Sequence, residues 1–247
     1  MDVAGTASVF AATTAAFRAD RKNKLLGCGQ SAVAGLWHPY AYINGGGMNL
    51  EWFRTQIAGA GAARTREGLD LDQLNEMAAA VDPRKGLPMF VPHLGGRVCP
   101  AQPDLRGAWA GLAWDHTSAH LYRAMLEGVA LEYGIYKQVL LALFPRFRLT
   151  ELRITGGGER SHLWNQIKAD ALQTPVRKIA RAEGAPLGVA LLAGYGVGLL
   201  KSLPDAAKRW ISHGQATRPR KSMAAHYARR LATYQELLDH LSQVSGL

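Results

Sequence analysis

The chain has 247 residues, of which 48% are hydrophobic and 19% charged, a composition that excludes a disordered chain and allows one large domain or two small ones. The net charge of +10 raises the question of a polyanionic partner. Much of the excess positive charge lies late in the chain, where no aromatic interleaving or nucleic-acid motif accompanies it. A solvated basic surface is therefore favoured, and no nucleic-acid partner is predicted.

The N-terminal residues and the cysteines bear on the cellular compartment of the protein. The first ten residues lack the basic segment and apolar run of a signal peptide, and Cys28 and Cys99 lie far apart without a metal-ligand pattern. We therefore expect a cytoplasmic protein with reduced thiols. Residues 184–200 carry no charge, but this stretch is short for a membrane span and rich in glycine. It predicts a buried helix and no membrane partner.

The first predicted elements are short strands within residues 3–14, with Gly5 and Thr6 between them. A Gly-Thr turn can present a backbone N–H and a hydroxyl to a phosphate. A simple hairpin turn has the same sequence, so this motif alone does not decide between the two interpretations.

A second glycine turn follows a strand-like stretch at residues 25–43. It consists of residues 44–47 and leads into a helix marked by apolar residues at helical spacing, namely Leu50, Phe53 and Ile57. The free N–H groups and the dipole at a helix N terminus favour an anion. Two such turns in one chain favour a phosphate-handling site.

The next segment contains a helix, a strand and a loop. Apolar residues from Leu69 to Met77 predict a helix that ends at Asp82 and Pro83. The strand Met89–Val91 then runs into the loop Pro92–Pro100, which is dense in glycine and proline. Such a loop after an apolar strand is often functional, although surface turns look alike.

The longest predicted helix covers Thr117–Phe144, where apolar residues recur at intervals of three and four. His116 and His120 lie four residues apart near its beginning. This spacing would suit a metal ion, but no carboxylate sits at a ligating spacing, so no metal site is predicted.

Residues 149–172 form the most informative stretch of the chain. Leu152 and Ile154 alternate with polar residues as in a strand, three glycines follow at 156–158, and helical spacing begins at Ser161. A strand, a bare glycine turn and a helix N terminus make a site for an anion or a nucleotide. A tight packing turn is the alternative. A strand at Val176–Ala180, a small-residue helix and a basic final helix complete the prediction.

These motifs together resemble the C-terminal half of the FGGY carbohydrate kinases, closest to the xylulokinase-like members. The most specific piece comprises residues 107–112 and, seven residues later, residues 120–127, which are similar to the second signature of that family. Further blocks occur in the family's order: Gly5-Thr6, Asn44–Trp52, Thr155–Trp164 and Glu183–Ala193.

The resemblance implies a single α/β domain over residues 1–247, with the actin-like ATPase-domain (ribonuclease H-like) fold and a mixed β-sheet flanked by helices. It implies an ATP-dependent sugar kinase that uses ATP and Mg²⁺. It also places residues at the nucleotide: Gly5 and Thr6 near the terminal phosphates, Gly47 and Glu51 beside the nucleotide, Gly157 and Gly158 at the α-phosphate and adenosine, and His162 at the adenine edge.

The chain departs from the family in the parts that contact the sugar and catalyse phosphoryl transfer to it. Relatives carry an N-terminal domain with most sugar contacts and an early Mg²⁺-phosphate motif, and a catalytic Asp upstream of the segment that matches residues 2–8. Asp2 is not that residue, so no catalytic residue is assigned. Many relatives read Gly-Glu-Arg-x-Pro where this chain has Gly96–Pro100, which puts the loop's substrate contacts in doubt.

We therefore expect the nucleotide-binding half of a sugar kinase, which binds ATP or ADP and meets sugar only with an N-terminal domain. A partner that supplies this half, or a homo-oligomer, would then cover the exposed surface, which we expect at residues 3–12 and around Gly95. The alternatives are a non-catalytic nucleotide-binding or partner-binding fragment and a nucleic-acid-binding protein.

Overall fold

Seven strands form one mixed sheet in the computed structural model, which describes residues 1–58, 69–179 and 184–244. The strands of the described part are β1 (Asp2–Ala4), β2 (Ser8–Ala11), β3 (Gly27–Gln30), β4 (Trp37–Ile43), β5 (Met89–Val91), β6 (Ala108–Ala110), β7 (Leu152–Thr155), β8 (Val176–Ile179) and β9 (His213–Thr217). The sheet order is β3-β4-β2-β1-β7-β8-β9, while β5 and β6 pair as a separate ribbon.

Helices cover the sheet and fill the space between it and the β5–β6 ribbon. They are α1 (Gly46–Trp52), α2 (Leu71–Ala79), α3 (Ser118–Leu143), α4 (His162–Leu172), α5 (Gly184–Gly196), α6 (Leu203–Trp210) and α7 (Ala224–Gln243). A π-helical segment, Phe53–Ala58, continues α1, and a 3₁₀ turn, Gly157–Arg160, precedes α4.

Strand β1 lies inside the sheet, between β2 and β7. Asp2 pairs with Phe10 across the antiparallel β1–β2 hairpin and with Ile154 of the parallel neighbour β7. Because β1 and β7 are parallel, their carboxyl ends meet at one edge of the sheet. The turns that follow these two strands therefore lie side by side, and this edge positions the candidate site.

Helix α3 is the centre of the core. It packs against α2, α4, α7 and the strand β5, and most of its length is buried. Tyr133 of α3 donates a hydrogen bond of 2.7 Å to the Asp2 carboxylate, which also forms a buried ion pair with Lys168 of α4. Buried charges need such partners, so this cluster fixes β1, α3 and α4 relative to one another.

Most of the predicted elements are confirmed, including Met89–Val91 as a strand, α3 within one residue of its predicted ends, and the hairpin near the start of the chain. Ala180 and Glu183, which belong to predicted blocks, lie outside the described residues. Helix α6 and the strand β9 were not predicted, and the sequence of β9, His213–Thr217, is short and polar and lacks an apolar alternation.

The helix predicted at residues 184–200 is present as α5 (Gly184–Gly196), but the prediction that it is buried is wrong. In α5 only Leu191 is buried, while Val189 is 66% exposed, Leu192 47% and Tyr195 50%. Helix α6 packs against α5, and the side of α5 that carries these three residues is left uncovered within the described part of the chain. We define this side (Val189, Leu192 and Tyr195) as the α5 surface.

The exposed apolar surface expected at residues 3–12 and around Gly95 is not found there. Strands β1 and β2 are both paired on two sides, and residues 3–12 contribute no large exposed apolar side chain. The reason is topological, because β1 and β2 lie inside the sheet rather than at its edge.

Candidate functional site

A cleft of about 640 Å³ opens at the carboxyl ends of β1 and β7. The β1–β2 turn, α1, α2, α3 and the glycine turn after β7 line it. Six of the seven predicted site residues lie in this lining, namely Gly5, Thr6, Gly47, Glu51, Gly157 and Gly158. His162 is exposed at the first turn of α4 and is not among the lining residues. The structure thus brings six predicted residues together and leaves the seventh apart.

Some glycines of the site are required by packing. Gly156 has a φ of +92°, and a Cβ there would lie 2.7 Å from the carbonyl oxygen of Ala4. A Cβ on Gly47 would lie 2.5 Å from the carbonyl oxygen of Gly5, and one on Gly158 would lie 2.6 Å from the Ala4 side chain. These contacts are too short for any side chain, so the packing interpretation holds for these three positions.

Gly5 and Gly157 differ from those glycines. A Cβ at either position would meet no atom of the described residues within 4 Å beyond its chain neighbours, and neither residue has a positive φ. Neither packing nor backbone conformation therefore requires glycine at these positions. Both residues line the cleft, so the missing side chains leave its surface open for a close approach to the backbone.

The N terminus of α1 is not an open anion site, contrary to the expectation for residues 44–47. The Gly47 N–H donates to the Gly5 carbonyl at 2.8 Å, and the Met48 N–H donates to the Thr6 carbonyl at 3.1 Å. These bonds satisfy amides that the helix end would otherwise leave free. They fix the β1–β2 turn against α1, so the role of the second glycine turn is to position the first.

Polar groups line the rim of the cleft. Glu51 has a side chain that is 52% exposed and pairs with Arg54, whose hydrogen bond lowers the pKa of the Glu51 carboxyl. Asp70 caps α2 by accepting a hydrogen bond of 2.7 Å from the Gln73 N–H, while Asp72 lies in the first turn of α2 and also lines the cleft. The rim thus holds carboxylate groups, whose oxygens accept hydrogen bonds from hydroxyl groups.

The inner wall of the cleft is apolar and rigid. Leu50, Tyr122, Leu126 and Trp164 form it. The Trp164 ring is fixed from two sides, because its Nε1–H donates to the Leu126 carbonyl at 3.0 Å and the Lys168 ammonium lies 3.9 Å from the ring centre. An apolar wall of this kind is suited to an aromatic ligand.

Several lining residues carried no site prediction. Ser161 was recognised only as the start of a helix, and in the structure its hydroxyl accepts a hydrogen bond of 3.1 Å from the Trp164 N–H. Asn75 of α2 also lines the cleft and gave no signal in the sequence. Its position could not be found from a motif, since it depends on how α2 packs against α4.

The loop Pro92–Pro100, for which a functional role and a simple surface turn were both open, turns its polar side chains into the core. Arg97 donates a hydrogen bond of 2.9 Å to the Glu132 carboxylate, and His93 lies 3.6 Å from the same oxygen. Tyr234 of α7 donates to the other Glu132 oxygen at 2.6 Å. Burial alone would raise the pKa of Glu132, but His93, Arg97 and Tyr234 lower it to about 2. This part of the loop is structural.

His116 and His120 serve the backbone near the start of α3. His116 Nδ1 accepts from the Ala113 N–H at 3.0 Å, and its Nε2 lies 2.6 Å from the Gly86 carbonyl oxygen. His120 Nδ1 accepts from the Thr117 N–H at 3.2 Å. Across residues 1–58, 69–179 and 184–244, no group of three His, Cys, Asp or Glu side chains is placed to hold a metal ion.

The comparisons with known proteins agree on one family. The model of the FGGY family of carbohydrate kinases, C-terminal domain, matches residues 2–197. The gluconokinase of Bacillus subtilis (strain 168) is 34% identical over 190 residues, which are 75% of this chain and 36% of that kinase. A xylulose kinase of Staphylococcus epidermidis is 26% identical over 174 residues, which are 70% of this chain and 34% of that kinase.

The solved structures agree with the sequence relatives. The crystal structure of xylulose kinase from Rhodospirillum rubrum matches with a TM-score of 0.81 at 26% identity and covers 100% of this chain and 48% of that chain. The mixed sheet with flanking helices is therefore the actin-like ATPase-domain fold that was expected. The chain spans about a third of the length of the two curated relatives and about half of the solved kinase.

None of the helices within the described residues combines the length and the hydropathy of a membrane-crossing segment.

Proposed function

The chain belongs to the FGGY family of carbohydrate kinases, and from this premise we propose that its cleft binds ATP and ADP. In this proposal the chain is the nucleotide-binding half of an enzyme that transfers the γ-phosphate of ATP to a sugar hydroxyl. The observation that carries the proposal is the pair Gly5 and Gly157, which leave the cleft surface bare although packing does not require glycine at either position.

The lining of the cleft supports a nucleotide as its ligand. The phosphates would lie against the adjacent turns at Gly5 and Gly157, where only backbone limits their approach. The base would lie on the apolar wall that includes Trp164, and rim carboxylates such as Asp72 would accept hydrogen bonds from the ribose hydroxyls. The role of His162 at the adenine edge stays a prediction, because the cleft lining does not include it.

Mg²⁺ is proposed to enter with the nucleotide. The described residues hold no group of three ligating side chains, so they fit an ion held chiefly by the phosphate oxygens of ATP and by water. The ion would neutralise charge on the phosphates. This chain's own contribution is to bind and orient the nucleotide and to exclude water from its base.

The acceptor side is proposed to lie in the part of the relatives that this chain does not match. Phosphoryl transfer needs a base near the attacking hydroxyl and a cleft that positions the sugar. The chain covers 48% of the solved xylulose kinase, and the α5 surface is apolar and uncovered. We propose that the half of the kinase that this chain does not match packs on the α5 surface and supplies the base and the sugar contacts.

The experiment that tests nucleotide binding replaces one bare glycine. Gly157→Val places a branched side chain in the cleft at a position where a Cβ meets no atom of the described residues within 4 Å beyond its neighbours, so the fold should persist while ATP and ADP binding is lost. Isothermal titration calorimetry on folded parent and variant measures this. Gly188→Val is the matched control, because a Cβ there also meets open space but lies on α5, outside the cleft. Equal affinities for parent and Gly157→Val would refute the assignment.

A further inference from the structure

A second cavity, of about 270 Å³, lies beside the same helices that line the nucleotide cleft. We propose that this cavity is an anion site that takes a phosphoryl group, either as free phosphate or on a small phosphorylated metabolite. We call it the arginine cavity, because Arg84, Arg123 and Arg220 line it. These three residues come from separate parts of the chain and are brought together by the fold.

The arginine cavity is distinct from the nucleotide cleft. On α3, Tyr122 lines the cleft while the next residue, Arg123, lines the arginine cavity. On α4, Trp164 lines the cleft while Leu163 lines the arginine cavity. Successive residues of a helix point about 100° apart. The two cavities therefore lie on different sides of α3 and α4, and they share no lining residue.

Arg123 is the strongest evidence for a bound anion. It is only 3% exposed. Its Nη1 donates a hydrogen bond of 2.9 Å to the Ala78 carbonyl, and its Nε lies 3.5 Å from a Glu127 carboxylate oxygen without forming a hydrogen bond. A guanidinium has five N–H donors. Glu127 thus pairs the charge of Arg123, but the Nη2 group has no hydrogen-bond acceptor among the described residues and is available to a ligand in the cavity.

The other two arginines are oriented by carboxylates and keep free donors. Arg84 Nε donates to Asp82 at 3.0 Å, and Arg220 Nη2 donates to the buried Asp170 at 2.6 Å. Each pair uses the Nε and Nη2 groups of its arginine. The two Nη1 groups stay available to a ligand, and guanidinium groups held in fixed positions favour a phosphoryl oxyanion.

The charge around the arginine cavity is positive. Arg230 lies next to Arg123 and shares Glu127 with it, so four guanidinium groups face the three carboxylates of Asp82, Asp170 and Glu127. The nearby His226 carries no negative charge, so it does not reduce this excess of positive charge. Burial first, and then the charges of four arginines, namely Arg230, Arg229, Arg123 and Arg84, lower the pKa of His226. An anion in the cavity would meet a positive field.

The test measures binding of inorganic phosphate to the full chain by calorimetry at constant ionic strength. We expect saturable binding to the parent and about tenfold weaker binding to Arg84→Gln, the loss of one charge-assisted hydrogen bond. Arg153→Gln is the matched control, since Arg153 is 53% exposed against 65% for Arg84 and also pairs with a carboxylate two residues earlier. It should bind phosphate as the parent does.

A second variant keeps every arginine in place. Ser222 is exposed and lines the arginine cavity, so Ser222→Asp adds a negative charge there and should abolish phosphate binding. Glucose 1-phosphate is the second probe, because its binding would identify a phosphorylated metabolite as a ligand, whereas binding of phosphate alone would identify the free ion. Absence of saturable phosphate binding to the parent, or equal weakening in Arg84→Gln and Arg153→Gln, would overturn the proposal.

Discussion

The Ser161 hydroxyl donates a hydrogen bond of 2.8 Å to the Asn75 side-chain oxygen, and both residues line the cleft at the carboxyl ends of β1 and β7. This bond joins α2 to the start of α4, two segments that are 86 residues apart in the sequence. Ser161 also caps α4 by accepting from the Trp164 N–H. The Ser161 hydroxyl therefore fixes α2 and the start of α4, two walls of the cleft, relative to each other.

The double role of Ser161 predicts unequal costs for removing the two partners of this bond. Ser161→Ala loses the α4 cap as well as the contact with α2, whereas Asn75→Ala leaves the cap in place. We expect Ser161→Ala to lower the free energy of unfolding by about 1 kcal/mol more than Asn75→Ala, the usual contribution of a helix N-cap. Urea unfolding of the two variants measures the difference, and equal values would contradict the capping role.

The lowered pKa of Glu132 predicts that the protein loses stability in acid. Its folded-state pKa is about 2 against 4.5 for the free side chain, so its contribution is present above pH 4.5 and is lost as the pH falls from there towards 2. The shift corresponds to an effect on the order of 3 kcal/mol. Urea unfolding between pH 6 and pH 3 should show a steeper decline for the parent than for Glu132→Gln. Parallel declines would show that Glu132 is not the group responsible.

The α5 surface predicts self-association of the isolated chain. Its exposed apolar side chains favour contact with another apolar surface or with a hydrophobic dye. Leu192→Lys should reduce dye fluorescence and shift the sedimentation profile towards monomer. Phe17→Lys is the control, because Phe17 is also an exposed apolar residue but lies outside α5. A monomeric parent that binds no dye would argue against an interface at α5.

Turnover by the isolated chain is expected to be absent. General-base catalysis contributes about 10² to 10⁴-fold and positioning in a closed cleft contributes more, and the proposal places both in a second half. A coupled ADP-release assay with pentuloses, pentitols, gluconate and glycerol should detect turnover only after a matching N-terminal half is added. Sugar-dependent turnover by the 247 residues alone would mean that a residue of this chain acts as the base.

The strongly periodic segments were predictable from the sequence, and the reason is local. The apolar spacing of α3 and the strand followed by three glycines at Leu152–Gly158 both carry their signal within a few turns of chain. The six site residues that meet in the cleft, Gly5 and Gly157 among them, were named from the resemblance to the FGGY carbohydrate kinases, whose blocks include these glycine turns.

Features that depend on distant packing were not predictable. The apolar sequence of α5 indicates that something covers the helix, but it does not indicate whether the cover lies in the same chain, and the structure leaves Leu192 exposed. The polar strand β9 forms because β8 offers it a partner, with Val176 opposite Thr217. Asn75 lines the cleft because of how the helices pack, and no local motif indicates that packing.

The open space around Gly5 and Gly157 has a consequence for reading natural variation in this chain. A Cβ at either position meets no atom of the described residues within 4 Å beyond its chain neighbours, so assays of expression, solubility or melting temperature would score a substitution there as neutral. The chain could thus lose its ligand while every measure of folding stays normal. Variants at these two positions need a binding measurement, because a stability screen would not detect their effect on ligand binding.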